Sequence, residues 1–212
     1  KSKIALDPAF HWVRSHAIKI EKSCKIGFAI RSLPVSEYFA NSSGDRRKLI
    51  KDFNSAILYL MKHHAKKDTV YLQCMHRLPC GGDDRLYYLD LLGDTISKFD
   101  FSIKHRSPSE DIQALAGLNR LYGMRFHSVV FAIALGVPVI PIDYTNGGKI
   151  ASLCKLLKIR CWTPPEFVNH VLNCNELPVP QIVEPELLNR YAMESISTYK
   201  VLAQKVKCFM DI

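Results

Sequence analysis

From residue 25 onward, short apolar runs alternate with stretches of helical periodicity. Lys25–Arg31, KIGFAIR, is an apolar run closed by a basic residue and then Ser32-Leu33-Pro34. Similar runs occupy Thr69–Met75, Asp100–Ile103, Leu118–Gly123, Pro138–Ile142 and Ile159–Trp162. Between them, Arg46–His64 places Leu49, Ile50, Phe53, Ile57, Leu58, Leu60 and Met61 at helical spacing, after a capping loop Asn41–Asp45. Further helices are expected over Asp84–Lys98, Glu110–Ala116, Arg125–Leu135, Gly147–Leu157, Pro164–Leu172 and Glu184–Phe209. Strands that alternate with helices build an α/β fold with a doubly wound, mostly parallel, Rossmann-like sheet. The organisation expected is an interdomain linker over 1–24, a Rossmann-like ligand-binding domain over 25–183, and a C-terminal helix over 184–212.

Right-handed crossovers put every strand C-terminus on one edge, where open α/β sheets bind ligands. The polar residues fall at those ends. Arg31 follows the first strand; His76, Arg77, Asp83 and Asp84 follow the second; Lys104, His105 and Arg106 follow the third. Arg125 and His127 follow the fourth, and Tyr144 to Lys149 the fifth.

The densest signal is GMRFHSVVFAIALGVPVIPIDYTNGGK, residues 123–149. Two residues apart within a helix means about 200° around its axis, so Arg125 and His127 meet one small ligand only if Arg125 sits in the entry turn. Backbone N–H groups and the helix dipole then join them around an anion, while Ser128 either adds its hydroxyl or caps the helix. The same residue types also fit a plain helix start with a solvated arginine. Lys149 follows Asn146-Gly147-Gly148, where glycine lets backbone approach a phosphate and lysine supplies charge. Gly81-Gly82 with Asp83, Asp84 and Arg85 either caps the next helix or holds a substrate hydroxyl.

Composition narrows the classes. Apolar residues make up 48% of the chain, enough for a sizeable core and against disorder. The formal charge of +9 favours acidic partners. The basic run Lys62–Lys67 lacks interleaved aromatics and is read as a solvated helix end, so no nucleic-acid partner is expected. Cys24, Cys74, Cys80, Cys154, Cys161, Cys174 and Cys208 form no C-x-x-C and are expected to be reduced core thiols. Asn41-Ser42-Ser43 is a glycosylation triplet of the kind that arises by chance. No H-E-x-x-H, G-x-S-x-G, Walker or G-x-G-x-x-G motif occurs, which disfavours metal hydrolysis, serine-triad chemistry and a dinucleotide site; no metal or cofactor is expected. No run is apolar enough to span a membrane. The sequence starts at Lys1 without methionine, and the chain is expected to be the C-terminal part of a longer protein, with any anchor elsewhere.

The stretch 123–149 resembles the polysaccharide pyruvyltransferase family. Its R-x-H-S segment is here Arg125, Phe126, His127 and Ser128; its G-x-P-x-I strand is Gly136, Pro138 and Ile140; its Tyr…Lys turn is Tyr144 and Lys149. The order of elements agrees over residues 1–160 and the motifs are sharp over 123–149. The resemblance implies the C-terminal, donor-binding half of a GT-B-like fold. It implies transfer of pyruvate from phosphoenolpyruvate to a sugar diol of a glycan, galactose- or N-acetylmannosamine-containing, with a ketal formed and phosphate released. His127 and Arg125 would be catalytic; Arg31, Phe126, Ser128, Tyr144, Lys149 and Asp84 would bind substrate. The setting expected is cytoplasmic, at the membrane surface where the acceptor is lipid-linked, or a secretory-pathway lumen in a eukaryote. Two alternatives stand beside it. One is a GT-B glycosyltransferase whose nucleotide-sugar is held through Ser36, Tyr144 or Trp162. The other is a non-catalytic module for anionic ligands or glycans.

Overall fold

A computed structural model describes residues 6–15, 25–34, 45–76, 82–101, 104 and 107–210, with side chains described up to residue 200 except that of Ser15. In chain order the elements are α1 (Pro8–Ser15), β1 (Lys25–Ala29), α2 (Arg46–His64), β2 (Thr69–Leu72), α3 (Asp84–Leu92), β3 (Asp100–Phe101) and α4 (Pro108–Ala116). There follow β4 (Leu118–Gly123), α5 (Phe126–Ala134), β5 (Val139–Pro141), α6 (Lys149–Leu157), α7 (Pro164–Val168) and α8 (Pro185–Met210). The five strands run parallel in the order β3-β2-β1-β4-β5, with β1 paired to both β2 and β4. The chain winds outward from β1 to β3, then returns to the other side of β1 at β4. That reversal makes β1/β4 the topological switch point, where ligands lodge in such sheets.

Burial on both faces explains why the strands read as apolar runs. Alternation sends Ile26, Phe28, Ile30 and Tyr122 into one layer with Phe53, Leu60, Tyr88 and Phe167. Ala29, Tyr71 and Leu121 enter the other layer with Leu115, Val129, Ile133 and Leu187. Helix starts are set by local chemistry. Asp45 accepts from Arg47 N and Lys48 N at 3.0 and 3.2 Å to begin α2. Ser107 and Glu110 form a reciprocal capping box ahead of α4, and Thr163 with Glu166 does the same for α7.

Several sequence expectations change in detail. The sixth strand is reduced to a single parallel bridge, Ile142 to Trp162. The expected helix Asp84–Lys98 is α-helical only to Leu92 and finishes as a tighter 3-10 segment, Gly93–Lys98. The segment expected as a helix to Leu172 ends at Val168 and continues as a π-helical turn, Asn169–Asn173. Residues 8–15 form α1, which packs on α5. Cys74 and Cys154 are buried, Cys161 is half-buried, and Cys174 is exposed rather than in the core. The glycosylation triplet lies outside the described residues.

The basic run at the end of α2 is not uniformly solvated. His64 is 5% exposed, its Nε2 shares a 2.9 Å hydrogen bond with the Tyr122 hydroxyl, and its ring packs near Phe28. Burial, with Arg120 and His63 adding to it against Asp68, lowers its pKa to about 4. The unfolded His64, titrating at 6.5, therefore binds a proton before the folded one does. The stability this contributes is present above pH 6.5 and lost as pH falls through about 4, about 3 kcal/mol in all. Urea denaturation across pH 7 to pH 4 should show wild type losing that much more stability than His64→Gln; parallel pH dependences would contradict the assignment.

Candidate functional site

The site is built around three strand ends: β1, β4 and β5. At the end of β4, Arg125 takes an extended conformation (φ −96°, ψ 127°) in the N-cap position of α5, with no side-chain cap. Its guanidinium turns inward. Nε donates to both Asp84 carboxylate oxygens at 3.0 and 3.1 Å, and Nη2 donates to Asp84 Oδ1 and to Gly82 O at 3.2 Å. The Asp84 side chain is fully buried and that of Arg125 is 12% exposed. Asp84 Oδ2 also accepts from Met75 N and His76 N at 3.0 and 2.9 Å. The carboxylate thus binds the segment after β2 to the start of α5. Capping of α3 falls to Asp83, which accepts from Arg85 N at 2.8 Å.

Arg31, just past β1, reaches the same glycine turn. A Cβ added to Gly82 would lie 3.9 Å from its Nη2. Its Nη1 donates to the Tyr144 hydroxyl at 3.2 Å, and its guanidinium carbon lies 4.9 Å from the centre of the Tyr144 ring. Arg31 and Arg125 therefore meet at Gly82, while Tyr144 links that pair to the β5 turn.

The turn after β5 is organised by Asp143, which is 2% exposed. Oδ1 accepts from Thr145 N and Thr145 Oγ1 at 3.3 and 2.7 Å; Oδ2 accepts from Gly147 N and Gly148 N at 2.7 and 3.1 Å. Asn146 and Gly147 take left-handed φ values of 51° and 98°. A Cβ on Gly148 would stand 1.8 Å from Thr145 Oγ1, so only glycine permits this closure. The turn delivers Gly148 as the N-cap of α6 and Lys149 as its first helical residue, again with no side-chain cap.

Between these parts lies a cleft of about 620 Å³ lined by Phe126, His127, Asp143, Tyr144, Thr145, Gly148, Lys149 and Ile150. The His127 side chain is 55% exposed and stacks on Phe131, with ring centres 6.0 Å apart. Lys149 Nζ lies 5.8 Å over the Phe126 ring. The starts of α5 and α6 both line this cleft, so their N-terminal dipole ends add to the charge of Lys149. A small anion with a proton-accepting centre fits such a wall.

Of the residues singled out from sequence, Phe126, His127, Tyr144 and Lys149 share the cleft. Arg125 and Arg31 lie behind it, held by Asp84 and Tyr144 respectively. Asp84 faces Arg125, which leaves its carboxylate engaged within the protein. Ser128 is fully buried, and its hydroxyl donates to Arg125 O at 2.7 Å instead of entering the cleft or capping the helix. Trp162 is 2% exposed, packed between Phe167, His170 and the Arg160 guanidinium, and does not line the cleft. Ser36, Arg77, His105 and Arg106 lie outside the described residues. Sequence reasoning passed over Asp143, although it directly follows the fifth strand. It also passed over Asp7, whose Oδ2 lies 3.8 Å from His127 Nε2 and which carries no local signal at all. Among the described residues, no helix is long and apolar enough to cross a membrane.

The buried Arg125–Asp84 pair should be costly to halve. Asp84→Ala leaves a buried guanidinium and two backbone N–H groups without their acceptor, and should destabilise the protein by about 3–5 kcal/mol. Arg125→Ala should cost a similar amount, and the double variant clearly less than the sum. Urea denaturation of all four proteins measures the coupling; simple additivity would show that the pair acts as two independent groups.

Comparison with known proteins agrees with this architecture. The profile of the family described as polysaccharide pyruvyl transferase matches residues 1–146, well over half the chain. Searches of curated proteins and of solved structures returned no match. The matched span takes in β1 to β5 and the Arg125–His127 entry to α5, and ends inside the Asp143 turn. By that span the chain belongs to the polysaccharide pyruvyl transferase family.

Proposed function

We propose that the protein transfers the pyruvyl group of phosphoenolpyruvate to two hydroxyls of a sugar, forming a cyclic ketal and releasing phosphate. Family membership supports an enzyme of pyruvyltransferase type. The observation that carries the finer statement is the convergence of His127, Lys149 and two helix N-termini on one cleft of about 620 Å³. Phosphoenolpyruvate packs a carboxylate and a phosphate into a few ångströms, and a compact cationic wall matches it better than an extended nucleotide does. The acceptor class expected from the sequence resemblance, a glycan carrying galactose or N-acetylmannosamine, belongs to the same proposal.

The chemistry divides among the residues as follows. Addition of a hydroxyl to C2 requires a proton at C3, and the exposed ring of His127 supplies it as general acid. Lys149 and the N–H groups that open α5 and α6 neutralise the phosphate as it leaves. Tyr144, held by Arg31, lines the same cleft. Arg125 contributes mainly by fixing the entry to α5, since Asp84 already neutralises its charge.

With phosphoenolpyruvate and a panel of β-galactosides, wild type should release phosphate. His127→Ala should lower kcat by about 10²–10⁴-fold, the usual worth of a positioned proton donor. Lys149→Met should raise the phosphoenolpyruvate KM about 10–100-fold, the loss of one charge-assisted contact. Ligand-induced thermal shift supplies the counter-test. Saturable stabilisation by a uridine or guanosine diphosphate sugar, with none by phosphoenolpyruvate, would overturn the assignment in favour of glycosyl transfer.

A further inference from the structure

Among the described residues that line it, the donor cleft holds an acid for C3 but no open base for the attacking hydroxyl. Its one carboxylate among the described lining residues is Asp143, and both of its oxygens are filled by donors from its own turn. A second groove of about 620 Å³ continues from the cleft, sharing Phe126, Gly148 and Lys149 with it and lined further on by Leu6, Asp7 and Ser152. Asp7 is the carboxylate of that groove. Its Oδ1 accepts from Ala9 N at 2.9 Å, capping α1, whereas Oδ2 points to His127 Nε2 across 3.8 Å, too far for a hydrogen bond. One oxygen is structural and the other is open towards the acid.

We infer that Asp7 is the general base of the transfer and that the groove beside it receives the sugar diol. This rests on the pyruvyltransferase assignment and adds the acceptor side to it. A pyranose laid along Phe126 would bring its hydroxyls between Asp7 and the donor cleft. In the first step the hydroxyl proton passes to Asp7 Oδ2 as its oxygen bonds to C2. The C2–C3 double-bond electrons take a proton from the His127 imidazolium, giving a methyl group. Once the two side chains close to hydrogen-bond distance, Asp7 returns its proton to His127, so the hydroxyl proton has in effect moved to C3. In the second step the other hydroxyl bonds to C2 while the C2–O bond to phosphate breaks; its proton goes to Asp7 and leaves with the phosphate. The sequence balances without metal, oxidant or reductant.

Two variants separate base from cap. Asp7→Ser keeps an oxygen for Ala9 N–H and removes the carboxylate; Asp7→Asn keeps size and removes the charge. In the intact protein, both should lower kcat for phosphate release from phosphoenolpyruvate and a β-galactoside at least about 100-fold. The phosphoenolpyruvate KM should stay within about threefold, and the thermal midpoint of Asp7→Ser should match wild type. Wild-type turnover by Asp7→Ser overturns the inference while leaving the pyruvyltransferase assignment intact. So does a loss of kcat that tracks a falling thermal midpoint, because that marks the cap alone. A wild-type protein that releases no phosphate with any acceptor overturns the assignment and this inference together.

Discussion

A buried ion pair, Arg125 with Asp84, holds the C-terminal edge of the sheet in register. Asp84 brings no flexibility of its own: it opens α3, and its carboxylate gathers two backbone N–H groups from the segment after β2 and the fork of Arg125 from the start of α5. Those parts belong to opposite wings of the doubly wound sheet, on either side of β1. Hydrophobic burial fixes the layers but is indifferent to small slides of a helix along its axis. A bidentate guanidinium–carboxylate contact is not, because its paired hydrogen bonds demand matching distances and angles and weaken as the two elements slide apart. The position of His127, two residues beyond Arg125, is thereby tied to the far side of the sheet.

The local electrostatics follow from which carboxylates are already satisfied. The chain carries a formal +9, yet two of the acids at the strand ends, Asp84 and Asp143, are buried. Each is surrounded by donors and takes part in shaping backbone. Among the described residues, the charges left facing the cleft are those of Lys149, of His127 when protonated, and of two helix dipoles. Net charge alone did not foretell this; it follows from inward and outward assignment of groups that sit within a few residues of each other.

The order of strands and helices was readable because burial on both sheet faces writes continuous apolar runs, and because Asp45, Ser107 and Thr163 announce helix starts. The length of the last strands was not. Ile159–Trp162 has the composition of a strand, but Trp162 makes one bridge only, its ring being packed against Phe167 and His170 and covered by Arg160. In the site, the shared placement of Phe126, His127, Tyr144 and Lys149 was visible from strand ends. The inward turn of Arg125 was hidden, since nothing near residue 125 in sequence reveals a carboxylate forty-one positions earlier. Ser128 misled for a related reason: a hydroxyl in a first helical turn can face either ligand or backbone, and here it closes on Arg125 O.

The turn after β5 is closed from within. All four donors to the Asp143 carboxylate lie within residues 145–148, so the inner hydrogen bonds of the loop are its own, while Asp143 N donates to Trp162 O at 2.8 Å to anchor its base. The Tyr144 and Lys149 side chains take no part in those four bonds; Tyr144 instead accepts from Arg31 through its hydroxyl. Such a loop behaves as a cassette. Its outward side chains can be exchanged by mutation without removing the bonds to Asp143, which gives evolution or a protein engineer a place to reshape the cleft wall while the sheet behind it stays unchanged.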